Sequence, residues 1–231
     1  MKQSFHLPPL YETRILNLKN DRKIMFTPLI IAISGASGSG KTLFTENLVQ
    51  SFVSKGQLVQ ILREDHYYRR QDHLSMEERV KTNYDHPNAF EHELLQQHLT
   101  ELRAGKSIQY PFYCYKTHTR LEKTETKVPA PVIILEGIML FARPELAPLF
   151  DVKVFIDTPL DICLMRRMIR DVSERGRTIE SVAKQYEKTV KPMYHRFIEP
   201  SRFTADVVVT QGGMNQIALD VIKSHIQQAI M

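Results

Sequence analysis

Residues 29–33 read Leu-Ile-Ile-Ala-Ile, and the chain then runs Ser34-Gly35-Ala36-Ser37-Gly38-Ser39-Gly40-Lys41-Thr42. An apolar run of this length that stops at a glycine predicts a strand buried on both faces, the environment of a parallel sheet between helices. The eight residues from Gly35 to Thr42 follow directly and have the spacing G-x-x-x-x-G-K-[ST], which builds a phosphate-binding turn when it links a strand to a helix. Gly35, Ala36, Ser37, Gly38, Ser39 and Gly40 are small, so successive backbone N–H groups can converge on a polyphosphate. The helix predicted to begin near Lys41 directs its positive end at the same anion. Lys41 is expected to reach the β- and γ-phosphates, and the Thr42 hydroxyl to hold Mg²⁺. The ligand this pattern predicts is a nucleoside triphosphate.

The rest of the chain alternates in the same manner. Apolar residues at helical spacing predict helices over 42–53, 91–103, 160–172, 178–194 and 216–230. Short apolar runs predict strands over 58–62, 132–135, 152–156 and 205–209. Buried strands alternating with helices give an α/β fold with a doubly wound parallel sheet. Ligands of such sheets sit beyond the carboxyl ends of the strands, where Asp65, Glu136 and Asp157 fall. The stretch from 63 to 81 reads as a polar connection, and 83–87 as a turn, since the residue before Pro87 avoids the helical region. Residues 108–115 are interrupted by Pro111 and predict a hairpin arm outside the core sheet.

Other classes are disfavoured. The formal net charge of +5 suits an anionic substrate, but no Lys/Arg block or aromatic-basic repeat points to nucleic acid. No apolar stretch approaches the ~18 residues of a membrane span, and 1–9 lacks the apolar core of a signal peptide. No membrane association and a cytoplasmic location are therefore expected. Cys114 and Cys163 show no C-x-x-C spacing, and the histidines show no metal-ligand spacing, so reduced thiols and no zinc site are expected. Residues 1–25 are polar and Pro-interrupted and are read as a flexible extension of a single domain over 26–231, with Met25 as an alternative start.

Phosphoryl transfer needs a held metal, positive charge around the migrating group, and a base for the acceptor hydroxyl. Glu136 ends an apolar strand and is placed to take a metal-bound water beside Thr42, or else reads as a carboxylate capping a loop. Asp65 ends the neighbouring strand and reads equally as the acceptor's base or as a solvated loop acid. Arg166, Arg167, Arg170, Arg175 and Arg177 form the densest basic cluster, with Gly176 as a flexible joint. They read as a lid closing over phosphates, with Arg170 and Arg175 on the donor, or as a charged surface helix carrying an Arg167–Asp171 pair. Tyr113 and Tyr115 lie on one face of a strand with His118 close behind, which suits a nucleobase or ordinary hairpin packing.

Together these blocks resemble the bacterial uridine kinase (uridine/cytidine kinase) family. The blocks are Gly35–Thr42, residues 64–68, 73–87, 134–137 and 170–177, continued by 185–186 and 191–193. The resemblance runs from about residue 29 to the C-terminus. It implies a P-loop nucleoside kinase fold with a β-hairpin arm and an Arg-rich helical lid. It also implies transfer of a phosphoryl group from ATP or GTP, with Mg²⁺, to the 5′-hydroxyl of uridine or cytidine. CTP and UTP as feedback inhibitors and a homotetramer follow from the same resemblance. So do the roles of single residues: Asp65 as base, Asp85 on the ribose hydroxyls, Tyr113 and His118 on the pyrimidine with Tyr115 beside it. Arg167, Arg177 and Gln185 fall at further nucleoside-site positions, and Glu136 at the metal side. Gln211 stands before Gly212-Gly213 where relatives carry a basic residue, which leaves ATP or GTP preference open. The alternatives are another P-loop small-molecule kinase, of phosphoribulokinase or pantothenate kinase type, and a nucleotide switch that transfers nothing.

Overall fold

The computed structural model describes residues 27–54 and 56–230; the predicted extension over 1–25 and the alternative start at Met25 lie outside them. Strand β1 (Leu29–Gly35) lies at the centre of a five-stranded sheet with β2 (Val59–Arg63), β5 (Val132–Gly137), β6 (Val152–Asp157) and β7 (Val207–Thr210). The order is β2-β5-β1-β6-β7 and every pairing is parallel. The chain leaves β1 to one side for β2 and β5, then crosses to the other side for β6 and β7. β1 therefore ends where the strand order reverses, which opens a crevice beyond its carboxyl end.

Alternation of side chains along β1 builds two cores. Ile31 and Ile33 pack with Phe44, Leu48 and Phe52 of α1 (Lys41–Val53) and with Leu219, Ile222 and Ile226 of the C-terminal helix Gln216–Ala229. Ile30 and Ala32 face Leu95, Leu99 and Leu102 of a helix over His92–Arg103. Coverage on both faces is why the central strands β1 and β5 are nearly continuous apolar runs rather than alternating.

The hairpin arm stands apart from this sheet, as expected: β3 (Ile108–Cys114) pairs antiparallel with β4 (Thr119–Lys127), and the register shifts between Pro111 and Tyr113. Its base covers the edge of β2, where the Arg63 amide donates to the Tyr110 hydroxyl at 2.9 Å.

Three expectations need correction. The polar connection after β2 contains a helix, α2 (Met76–Lys81), between α1 and the helix α3 over His92–Arg103. It is started by a capping box in which Ser75 and Glu78 satisfy each other's backbone amides. Helix α4 (Leu160–Arg175) runs a turn beyond residue 172, so Gly176 is its left-handed cap (φ 65°) rather than a flexible joint. The next helical stretch does not stop at 194. It continues from α5 (Ile179–Gln185) to Ser201 through α6 (Lys191–Met193) and α7 (Glu199–Ser201), joined by two π-helical turns, Tyr186–Val190 and Tyr194–Ile198.

A buried carboxylate ties together the two strand ends that carry Asp65 and Glu136. Glu64 has no exposed surface, shares a 2.7 Å hydrogen bond with His92 Nε2, and accepts the Met139 amide at 2.9 Å. Its side chain occupies the space that a Cβ on Gly137 would need. Gly137→Ala is therefore expected to destabilise the protein by about 1–3 kcal/mol, because a carboxylate held from two sides cannot yield. The check is a lowered denaturation midpoint at unchanged slope.

Candidate active site

The turn between β1 and α1 owes its shape to residues without side chains. Gly38 and Gly40 have φ of 86° and 96°, and a Cβ on Gly38 would run into the Cys163 carbonyl. The loop is braced from two sides. Thr158 donates to the Ser39 carbonyl at 2.9 Å, and Asn47 of α1 donates at 3.2 Å to the carbonyl of Gly213, in the turn after β7.

Lys41 opens α1 and is half-buried; desolvation lowers its pKa, while the nearby carboxylates of Glu136 and Asp65 oppose that shift. Thr42 donates to Glu136 Oε2 at 2.8 Å, and Arg63 Nε lies 3.2 Å from Oε1. Burial raises the Glu136 pKa against the attraction of Lys41. A hydroxyl and a single carboxylate oxygen side by side beneath a phosphate loop are hard oxygen donors. They fit Mg²⁺, which takes one or two protein oxygens and fills its shell with phosphate and water. Among the described residues no group of three or more His, Cys, Asp or Glu could hold a metal by itself.

Asp65 lies in the 3₁₀ turn Glu64–Tyr67 that continues β2, and its Oδ2 accepts the Tyr115 hydroxyl at 2.6 Å. Asp85 is buried in the turn before Pro87. Thr189 donates to it at 3.3 Å, and Arg167 stands 3.9 Å away. Burial raises the Asp85 pKa, Arg167 opposes this, and the Asp65 charge adds to it. Beside Asp85 aromatic rings cluster. Tyr84 stacks on His118 with centroids 5.3 Å apart, and Tyr68 lies 4.9 Å from Tyr113. Gln185 Oε1 accepts from Arg167 at 3.1 Å and from Arg177.

Apart from Arg166, which is exposed, the basic cluster gathers on one buried acid. Asp171 is fully buried, with Arg170 at 2.9 Å, Arg175 at 3.5 Å, Arg177 at 3.6 Å and Arg167 at 3.7 Å. One carboxylate among four guanidinium groups leaves a net positive field, the arrangement an anionic ligand completes. Arg170 also stands close enough to Lys41 to disfavour its charge, so the cluster and the phosphate loop face one cleft.

The predicted site residues thus gather in two neighbouring groups. Lys41, Thr42, Glu136 and Arg170 meet at the phosphate loop. Asp85, Arg167, Arg177, Gln185, Tyr113 and His118 meet around the aromatic pocket. Asp65 lies between, exerting its charge on both Lys41 and Asp85. Tyr115 has a different setting from its companions: its hydroxyl is on Asp65 and its ring lies under Arg175, 4.2 Å from the guanidinium. Arg63, Tyr84, Thr189 and the Asp171 hub were not singled out from sequence. Of these only Asp171 left a signal, its four-residue spacing from Arg167. No described helix is long and apolar enough to cross a membrane.

Residues 30–218 match the model of the phosphoribulokinase / uridine kinase family. The chain is 53% identical over 204 residues to a uridine kinase of Shewanella amazonensis, covering 87% of this chain and 96% of that protein. It is 54% identical over the same length to a uridine kinase of Vibrio vulnificus, with the same coverage. Among solved structures, a proposed fructose transport system kinase from Silicibacter sp. TM1040 superposes with a TM-score of 0.67 at 21% identity, over 82% of this chain and 92% of the other. A D-glycerate 3-kinase from Cryptococcus neoformans gives 0.58 at 17% identity, over 78% and 82%. At such identities the structural likeness speaks for the fold alone.

Proposed function

The chain belongs to the phosphoribulokinase/uridine kinase family, a phosphotransferase by that membership, and we propose that it phosphorylates uridine at the 5′-hydroxyl to give UMP. Cytidine is the second acceptor, giving CMP. ATP or GTP is the donor, Mg²⁺ the metal, and pyrimidine salvage in the cytoplasm the setting. CTP and UTP act as feedback inhibitors of a homotetramer.

One observation carries the reading. Asp65, whose Oδ2 accepts the Tyr115 hydroxyl at 2.6 Å, follows β2, the neighbour of the strand whose Glu136 accepts from Thr42 of the phosphate loop. The pocket wall of Tyr84, His118 and Tyr113 presents flat faces to a pyrimidine. Asp85 accepts from the ribose hydroxyls. That leaves the 5′-hydroxyl pointing toward Asp65, which takes its proton as the oxygen bonds to the γ-phosphorus and the nucleoside diphosphate departs. Lys41 and the guanidinium groups of the lid stabilise the charge spread over the transferring group. Thr42 and Glu136 would hold Mg²⁺, which would neutralise charge on the donor phosphates. A sugar-phosphate acceptor would need further basic groups where this pocket has aromatic rings.

The test is product formation from ATP and Mg²⁺ with uridine, cytidine, ribulose 5-phosphate and pantothenate in parallel. UMP and CMP, with the other acceptors silent, are the expected result. Silence of both ribonucleosides, repeated with GTP, would overturn the proposal.

A further inference from the structure

Asp65, the lid and the hairpin arm are joined by one side chain that the proposed chemistry leaves without a function. Tyr115 follows β3 at the tip of the hairpin. Its hydroxyl donates to Asp65 Oδ2 at 2.6 Å, and its ring lies 5.3 Å from Tyr113, edge to face. The Arg175 guanidinium lies over the outer face of the ring at 4.2 Å, while its other contact is the buried Asp171 at 3.5 Å. A continuous path therefore runs from the carboxylate in the turn after β2 through the hairpin tip to the arginine hub of α4.

The two ends of Tyr115 do separable work. A carboxylate on a short turn can rotate about its Cα–Cβ and Cβ–Cγ bonds. A phenol bonded to one oxygen fixes that rotation and leaves Oδ1 free to receive an acceptor proton. A guanidinium over an aromatic ring is attracted by the ring's negative face and keeps its N–H groups at the edge. Arg175 is thereby held flat without losing donors that a phosphate can use.

We propose that Tyr115 is a positioning residue that aims Asp65 with its hydroxyl and shelves the lid arginine Arg175 with its ring. It does not lie on the pyrimidine, and it makes the base and the lid one mechanical unit. The proposal rests on Asp65 acting as the base, as argued above.

Two variants separate the parts, with Asp65→Asn as the control for the underlying reading. Tyr115→Phe keeps the ring and removes only the hydroxyl. It is expected to lower kcat with uridine by about tenfold, less than the roughly 100-fold that a 1 Å misplacement can cost, with the KM for the triphosphate unchanged. Tyr115→Leu removes the shelf as well, and should lower kcat equally while raising the triphosphate KM about threefold to tenfold. A purely structural role would lower the melting temperature of both variants and leave this division between kcat and KM absent. Wild-type kcat in Tyr115→Phe, with Asp65→Asn inactive, would overturn the proposal while leaving Asp65 as base. An unchanged triphosphate KM in Tyr115→Leu would overturn the shelf. Activity retained in Asp65→Asn would instead overturn the reading on which the proposal stands.

Discussion

Replacing Asp65 by asparagine is expected to lower kcat with uridine by about 10²–10⁴-fold, the contribution of a positioned base. The exchange is close to isosteric, so the turn after β2 and its Glu64–His92 anchor stay in place. The amide oxygen can still accept the Tyr115 hydroxyl. What is lost is basicity: an amide cannot hold the proton that leaves the 5′-oxygen as the bond to phosphorus forms. Uridine binding should survive, since Asp85 and the aromatic pocket carry it, and Lys41 keeps Glu136 as a neighbouring countercharge. The measurement is single-turnover phosphoryl transfer beside the equilibrium binding of uridine, which separates chemistry from affinity. A loss of binding equal to the loss of rate would make Asp65 a ligand of the nucleoside. Near-normal turnover would return it to the solvated loop acid that its sequence position equally permits.

Fold and donor site were legible in the sequence for a local reason. The strand–turn–helix around Gly35–Thr42 is contiguous, and its function depends on the absence of side chains at fixed positions, which a sequence states openly. The buried strands declared themselves by composition, because a parallel sheet covered on both faces has no polar side to conceal them. The corrections fall where the deciding interaction is distant or subtle. Helix α4 outran its apolar pattern because Arg175 is held by Asp171 and Tyr115, not by a hydrophobic contact. Helix α2 buries nothing and rests on the Ser75–Glu78 box, a signal that was present and read as part of a polar loop. The acceptor site draws on five separate segments, from the turn at Asp85 to Thr189 in a π-helical turn. No spacing rule connects such positions. Glu136 and Asp65 could be placed from strand ends alone; Asp85 and Gln185 needed either a resemblance or the fold.

Deoxyuridine should be used with a kcat/KM lower than uridine by on the order of 10²-fold, a difference of about 2.7 kcal/mol in the transition state. The cause is the state of Asp85. It is buried, and burial already disfavours its charge. In the free protein Thr189 and the more distant Arg167 supply its only polar company among the described contacts. In the proposed complex uridine brings two ribose hydroxyls to that carboxylate. Removing the 2′-hydroxyl leaves one lone-pair direction of a buried anion unsatisfied, and an unpaired buried charge costs more than a lost neutral hydrogen bond. The discrimination stays below the 10⁴–10⁵ of a site with no other partners, because Thr189, Arg167 and the 3′-hydroxyl still hold the group. Asp85→Asn supplies the decisive comparison. An amide is neutral and its desolvation is mild, so uridine should fall toward deoxyuridine while deoxyuridine itself changes little. That non-additivity is the signature of a direct contact between the two altered groups. Equal loss for both nucleosides would place Asp85 in the support of Arg167 and Thr189 instead, and a ratio near one in the native protein would remove it from the ribose altogether.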